Sequence, residues 1–167
     1  MAFNLLKIYN QLLELFGTVM QIRTSLRGVF NKDFMNQEVK FNGKEVYPTP
    51  RHDGEIPMDT LFRHLTTEVI DKKTKERAFE LQRSLRLHWV KHHLLQRKTE
   101  NMMLFSVREP DGNRTYYYDM DEKYVVVLEP QRNGVAYYLL TAYPVRGRDG
   151  QRNKIEKKYK RKLDEVL

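Results

Sequence analysis

Four short stretches toward the C-terminal end constrain the fold of this chain more than any other part of it. Residues 102–108, 114–119, 123–129 and 135–143 are rich in Tyr, Val, Leu and Met and are separated by a few polar residues each. Asp111-Gly112 and Asn133-Gly134 stand in two of the three links. Such pairs tolerate positive φ and favour tight hairpins, so the four stretches predict an antiparallel meander. Apolar spacing of three and four predicts helices around it: residues 58–70, residues 75–97 and residues 151–167. The expected fold is therefore α+β. N-terminal helices pack on a four-stranded antiparallel sheet, and a basic helix closes the chain.

The N-terminal third is read separately. Leu5, Ile8, Leu12, Leu15, Val19, Ile22 and Leu26 recur at helical spacing. They make one amphipathic helix, or two broken near Gly17, serving either the core or the pairing of two copies of the chain into a homodimer. Asn42-Gly43 between two short apolar runs predicts a hairpin with a type I′ turn. Pro48, Pro50 and Gly54 then disfavour regular structure. They set an expected boundary, with residues 1–50 a helical extension carrying a short hairpin and residues 51–167 the main domain.

The 167 residues are enough for a core without disulfide or metal staples. There is no cysteine, which excludes a thiol nucleophile, a disulfide framework and cysteine-based zinc sites. Residues 3–22 are interrupted by Lys7 and Glu14, so neither a signal peptide nor a membrane span is expected, and the cytoplasm is the expected location. The net charge of +8 favours polyanionic partners, RNA first among them.

Chemistry-bearing residues gather in and after the helix over 75–97. His88 and His92 are four apart and share one helical stripe, with His93 pointing elsewhere. Three uses compete for the pair: metal ligands, core histidines, or general acid and base. A metal would need a third ligand that the sequence does not offer, so no metal and no cofactor is expected. Arg83 and Arg86 precede them with guanidinium forks that fit phosphate. Along residues 135–143, alternation puts Val135, Tyr137, Leu139, Thr141 and Tyr143 on one face, expected to look outward, where ring and hydroxyl groups can meet nucleotides. Ordinary strand propensity explains the same residues equally well. Lys91, His93, Tyr137, Arg146, Arg148, Arg152, Lys154, Lys157 and Lys158 are the expected nucleic-acid contacts. From Arg146 to Lys162 nine Lys/Arg face two acids, a density that tracks a phosphate backbone or docks an acidic inhibitor or antitoxin protein.

The run from Arg83 through Arg86, His88 and Trp89 to His93, followed by Arg114–Tyr118, Tyr124–Pro130, Tyr137–Tyr143 and the lysine-rich end, resembles phage and prophage members of the barnase–EndoU–colicin–RelE superfamily of small nucleases. The similarity covers roughly residues 57–167. It implies helices on a four-stranded sheet and metal-independent RNA cleavage on the open sheet face, through attack of the ribose 2′-hydroxyl on the adjacent phosphate. It also implies catalytic roles for His88 or His92 as acid–base, Arg83 and Arg86 as phosphate clamps, and Thr141 with Tyr143 as positioners. A toxin or phage-related defence effector would follow. A non-catalytic RNA- or DNA-binding module, or a basic protein that docks an acidic partner, are the alternatives.

Overall fold

The computed structural model describes residues 2–146 and 150–167. Its core begins with α1 (Val19–Phe34), which starts at a capping box: the Thr18 hydroxyl accepts from the Gln21 amide at 3.2 Å, and the Gln21 side chain accepts from the Thr18 amide at 2.7 Å. The helix buries Leu26, Val29, Phe30 and Phe34, one stripe at helical spacing. Each full burial of such a side chain stabilises by about 1.5–3 kcal/mol.

The helix breaks at Gly17, one of the two expectations, but the segment upstream of it departs from the predicted helix. Only a 3-10 helix forms, over Ala2–Leu6, and the chain then runs irregularly to Gly17, which has φ +97°. Asn4 explains the change. Its carboxamide accepts from the Glu14 amide and donates to the Glu14 carbonyl, both at 2.9 Å, and donates to Ser25 at 2.9 Å. The strap is then fixed to the body by Leu13 N–H donating to the Leu85 carbonyl at 3.0 Å and by Trp89 Nε1 donating to Gln11 at 2.9 Å. Tertiary bonds override the apolar period here.

The predicted hairpin is present as β1 (Lys40–Phe41) and β2 (Lys44–Pro48), turning through Asn42 and Gly43 at φ +51° and +75°. Next come α2 (Pro57–Thr66), β3 (Thr67–Val69), β4 (Arg77–Phe79), α3 (Leu81–Ser84) and α4 (Trp89–Leu94). The helix expected over 58–70 ends early, and the one expected over 75–97 is broken in two. Residues 67–69 and 77–79 pair as a two-stranded antiparallel sheet, and Glu80 then caps α3 by accepting from the amides of Gln82 and Arg83 at 3.2 and 2.7 Å.

The strands β5 (Met102–Glu109), β6 (Gly112–Asp119), β7 (Tyr124–Pro130) and β8 (Ala136–Pro144) form successive antiparallel pairs. The sheet is nevertheless not the four-stranded antiparallel meander that was expected. β2 joins β8 in parallel, giving a six-stranded mixed half-barrel in the order β1-β2-β8-β7-β6-β5. Phe41, Leu26, Leu61, Trp89 and Leu128 share one core, so the chain on both sides of residue 50 packs together.

Both sheet faces are covered, so the open face implied by the nuclease resemblance is not present. The strap, α1, α2 and α4 pack over one face. α5 (Gly150–Lys160) lays Ile155 on the other, against Phe105, Tyr116, Val125 and Val127. The helix stops at Lys160, short of the predicted end at 167. The tail runs on beside β5, where the Leu163 amide donates to the Ser106 carbonyl at 2.8 Å.

Candidate functional site

The path of β8 decides which side chains can serve a ligand. Its register against β7 slips between Val127 and Leu128: Val127 faces Thr141 and Leu128 faces Leu139. This bulge breaks the alternation expected over residues 135–143. Tyr137 and Leu139 point into the main core, while Tyr143 joins the opposite cluster. Tyr137 is fully buried against Phe41, its ring 5.5 Å away, and its hydroxyl donates to Leu167. It offers nothing to solvent.

Beyond Leu139, β8 has no β2 partner, and the end of α2 takes that edge instead. Here Arg83, Thr141 and Tyr143 meet. Arg83 Nη1 donates to the His64 carbonyl at 2.8 Å and to the Thr141 hydroxyl at 3.3 Å, and its guanidinium lies over the Tyr143 ring at 5.2 Å. Arg86 lies over Trp89 at 5.2 Å and bonds Gln82 twice at 2.8 Å. Neither arginine holds a carboxylate among the described residues. Glu80, buried between them and Arg146, bonds Arg146 at 2.9 Å instead, and Arg146 also reaches Glu68 at 3.6 Å.

Two buried polar atoms in this cluster have no hydrogen-bond partner among the described residues: Arg83 Nε and the Tyr124 hydroxyl. Tyr124 begins β7 opposite Pro144 and is 0% exposed. Burial pushes its hydroxyl well above the usual range, with Arg83 and Arg86 pulling against that shift. Burial also raises Tyr143 and lowers both arginines from their ordinary values. His64, whose carbonyl holds Arg83, is pushed down to about 4 by burial and by Arg77. Arg83, Arg86, Thr141 and Tyr143 are each half-buried, so the cluster opens to solvent on one side.

His88 and His92 are not in this cluster. They line a separate cleft of about 560 Å³ between the strap, α1 and α4, together with Lys91. His88 Nε2 donates to the Ile8 carbonyl at 3.0 Å, and His92 stacks on Tyr9 at 4.3 Å with 9° between the planes. Burial brings both imidazoles down to about 4, so they are neutral at pH 7. Asp33 moves the other way, to about 6, because burial outweighs Lys91 and Lys32. Asp33, Lys32, Lys7 and Tyr9 lie far from the histidines in sequence, and no short-range pattern pointed to them.

His93 lies beneath the cleft floor and is 0% exposed. Nδ1 meets the Trp89 carbonyl at 2.7 Å and Nε2 meets Asp119 at 2.9 Å. Asp119 also accepts from the Tyr9 hydroxyl, from the amides of Asp121 and Glu122 at 3.1 Å each, and from Lys98 at 3.1 Å. Burial alone would raise this carboxyl, but the donors hold it well below the usual range. This network ties the strap to β6 and is structural.

The basic C-terminal helix is only partly available. Lys158 pairs with Glu109 and lies over Tyr116 at 5.5 Å, while Lys154 and Lys157 are exposed. Arg148 lies outside the described residues, and so does the side chain of Arg152. Among the described residues no three His, Asp or Glu side chains converge on a metal-ligating arrangement, and no helix is long and apolar enough to cross a membrane. Comparison with known proteins finds no family model, no curated protein and no solved structure that matches this chain.

Proposed function

We propose that the chain binds RNA phosphate at the Arg83–Arg86 cluster and cleaves the strand by attack of the 2′-hydroxyl on the adjacent phosphorus. One observation carries this reading. Among the described residues a half-buried guanidinium stands without a carboxylate, with Nε unpartnered, beside a buried tyrosine hydroxyl that also lacks a partner. Buried donors of this kind cost stability unless an acceptor arrives, and a phosphate offers several acceptor oxygens at once.

In this reading Arg83 and Arg86 neutralise the charge that builds on the phosphorane. The His64 carbonyl, the Thr141 hydroxyl and the Tyr143 ring fix the Arg83 fork before the ligand arrives, so little reorganisation is needed. Tyr124 is fully buried and stays protonated behind the guanidinium, so it takes no part in proton transfer; water accepts the 2′-hydroxyl proton, and water protonates the 5′-oxygen as its bond to phosphorus breaks. His88 and His92 take no part in proton transfer at this centre, because they face the other cleft. Uncontrolled cleavage of this kind would suit a toxin or a defence effector held in check by an inhibitor protein. Exposed Lys154 and Lys157 offer such a partner, or the RNA itself, a basic flank.

The test is incubation of purified protein with end-labelled RNA in EDTA. Cleavage leaving 2′,3′-cyclic phosphate ends, lost in Arg83→Ala and Thr141→Ala, supports the reading. Salt-sensitive binding without any cleavage would instead favour the non-catalytic RNA-binding alternative.

A further inference from the structure

The cleft between the strap, α1 and α4 plays no part in that chemistry, yet it is built like a ligand site. Its volume of about 560 Å³ falls within the roughly 300–1,000 Å³ usual for small-molecule pockets. Among the described residues two of its cations bond only neutral acceptors: Lys32 Nζ donates to the Leu5 carbonyl and Lys91 Nζ to the Gln37 carboxamide. Arg97 lines the same cleft, and Lys7 pairs with Glu14 at 3.2 Å. Against these stands Asp33, with Lys32 and Lys91 as its electrostatic neighbours.

The rest of the wall is not generic cationic surface. Tyr9 and His92 form a parallel stacked pair, and Ile8, Val29 and Leu95 add apolar surface. Tyr9 is held in place from behind by Asp119 and lies edge-on to Trp89 at 5.3 Å. Fixed aromatic surface beside ammonium groups on long stems suits a ligand with a flat ring at one end and a phosphate at the other.

We infer that this cleft is a nucleotide site distinct from the arginine cluster. Lys32, Lys91 and Arg97 take the phosphate, and the Tyr9–His92 wall takes the base. The nucleotide is either free or one unit of an RNA strand; the recognition chemistry is the same. The inference stands apart from RNA cleavage, because it concerns binding alone.

Isothermal titration of the full chain with AMP at low salt tests it. Saturable binding is expected, weakened about tenfold in the Lys32→Gln/Lys91→Gln double variant. Lys32 also holds the strap, so Arg97→Gln on an exposed side chain serves as the second variant, with the melting midpoint as a check on folding. A 2′-O-methyl RNA oligonucleotide, which lacks the attacking hydroxyl, gives the second arm. AMP displaced by this oligonucleotide assigns the site to an RNA strand, and AMP retained beside it assigns the site to a free nucleotide. No saturable AMP binding up to millimolar concentration would overturn the inference. So would equal binding by correctly folded variants, or displacement of AMP by inorganic phosphate at equal concentration, which would show that the base contributes nothing.

Discussion

The arginine cluster and the histidine cleft grow from neighbouring turns of the same helical segment, yet they are built in opposite ways. In the cluster, Arg83 is pinned by a main-chain carbonyl, a threonine hydroxyl and a tyrosine ring, all on packed elements. In the cleft, the charges ride on the long stems of Lys32 and Lys91, one wall is the irregular strap, and both histidines are neutral. Fixed donors favour a transition state, because they need not reorganise when charge develops. Flexible ammonium groups favour ground-state binding, since they follow the ligand wherever it lies. On the proposed reading the same net charge would serve two purposes, and what separates the two regions is how each cation is held.

The comparison can be broken first through Asp119. Asp119→Asn removes the carboxylate on which His93, Lys98, the Tyr9 hydroxyl and two amides converge, and should cost about 3–5 kcal/mol in chemical unfolding. Hydrogen exchange should then show the strap and cleft loosening before the α2–β8 edge. Equal loosening of both would show that the two regions are one unit. Because the Asp119 carboxyl is held below its ordinary value, its contribution is complete above pH ~4 and is lost as pH falls through the lowered pKa.

Next in size is Arg83. Arg83→Ala should lower single-turnover RNA cleavage by about 10²–10³-fold, the usual loss when one preorganised donor is removed. Lys32→Gln should leave that rate unchanged and shift only the RNA affinity and its salt slope. Similar rate losses in both variants would erase the distinction.

Titration gives a smaller effect. His64, His88 and His92 each fall to about 4 from 6.5, so between those values the unfolded chain binds more protons at these sites. Their contribution to stability is full above pH ~6.5 and shrinks as pH falls toward 4. Asp33, raised to about 6 from 3.8, acts in the opposite sense over most of that window. Three groups against one make the melting midpoint climb from pH 4.5 to 6.5. Each histidine contributes roughly 1 kcal/mol after solvent screening. His88→Gln should flatten the climb and Asp33→Asn should steepen it, as read by thermal melts across the range. The smallest effect belongs to Lys158→Ala, where a partly exposed ion pair with Glu109 is worth under about 1 kcal/mol.

Local chemistry was legible in the sequence, and long-range pairing was not. Asn42-Gly43 announced its hairpin because positive φ at two successive residues is a local demand. The four late strands stand within two residues of where turn spacing put them. The parallel pairing of β2 with β8 joins residues about ninety positions apart, and no period in either strand encodes it. The bulge at Leu140 was equally silent, and it parts Tyr137 and Leu139, which lie in the core, from Tyr143 on the opposite face. The N-terminal apolar period was real, but Asn4 offers Glu14 the hydrogen bonds that a helix would otherwise have made. Arg83, Thr141 and Tyr143 were singled out from residue type and order, and the structure brings them into contact. His88 and His92 were grouped with them by the nuclease resemblance and by a shared predicted helix, a one-dimensional closeness that the turn between α3 and α4 undoes. Tyr124 carried no sequence signal: it stands out by burial beside two arginines without a hydroxyl partner among the described residues.

The account rests on the arginine cluster being the phosphate-binding centre, and cleavage of labelled single-stranded RNA in EDTA by wild type, Arg83→Lys and Lys32→Gln tests that most directly. The account predicts cyclic-phosphate products from wild type and Lys32→Gln at similar single-turnover rates. It predicts a loss of about 100-fold in Arg83→Lys, where the charge remains but the fork is gone. Intact RNA with the wild-type chain, or an Arg83→Lys variant that cleaves as fast as wild type, would contradict it.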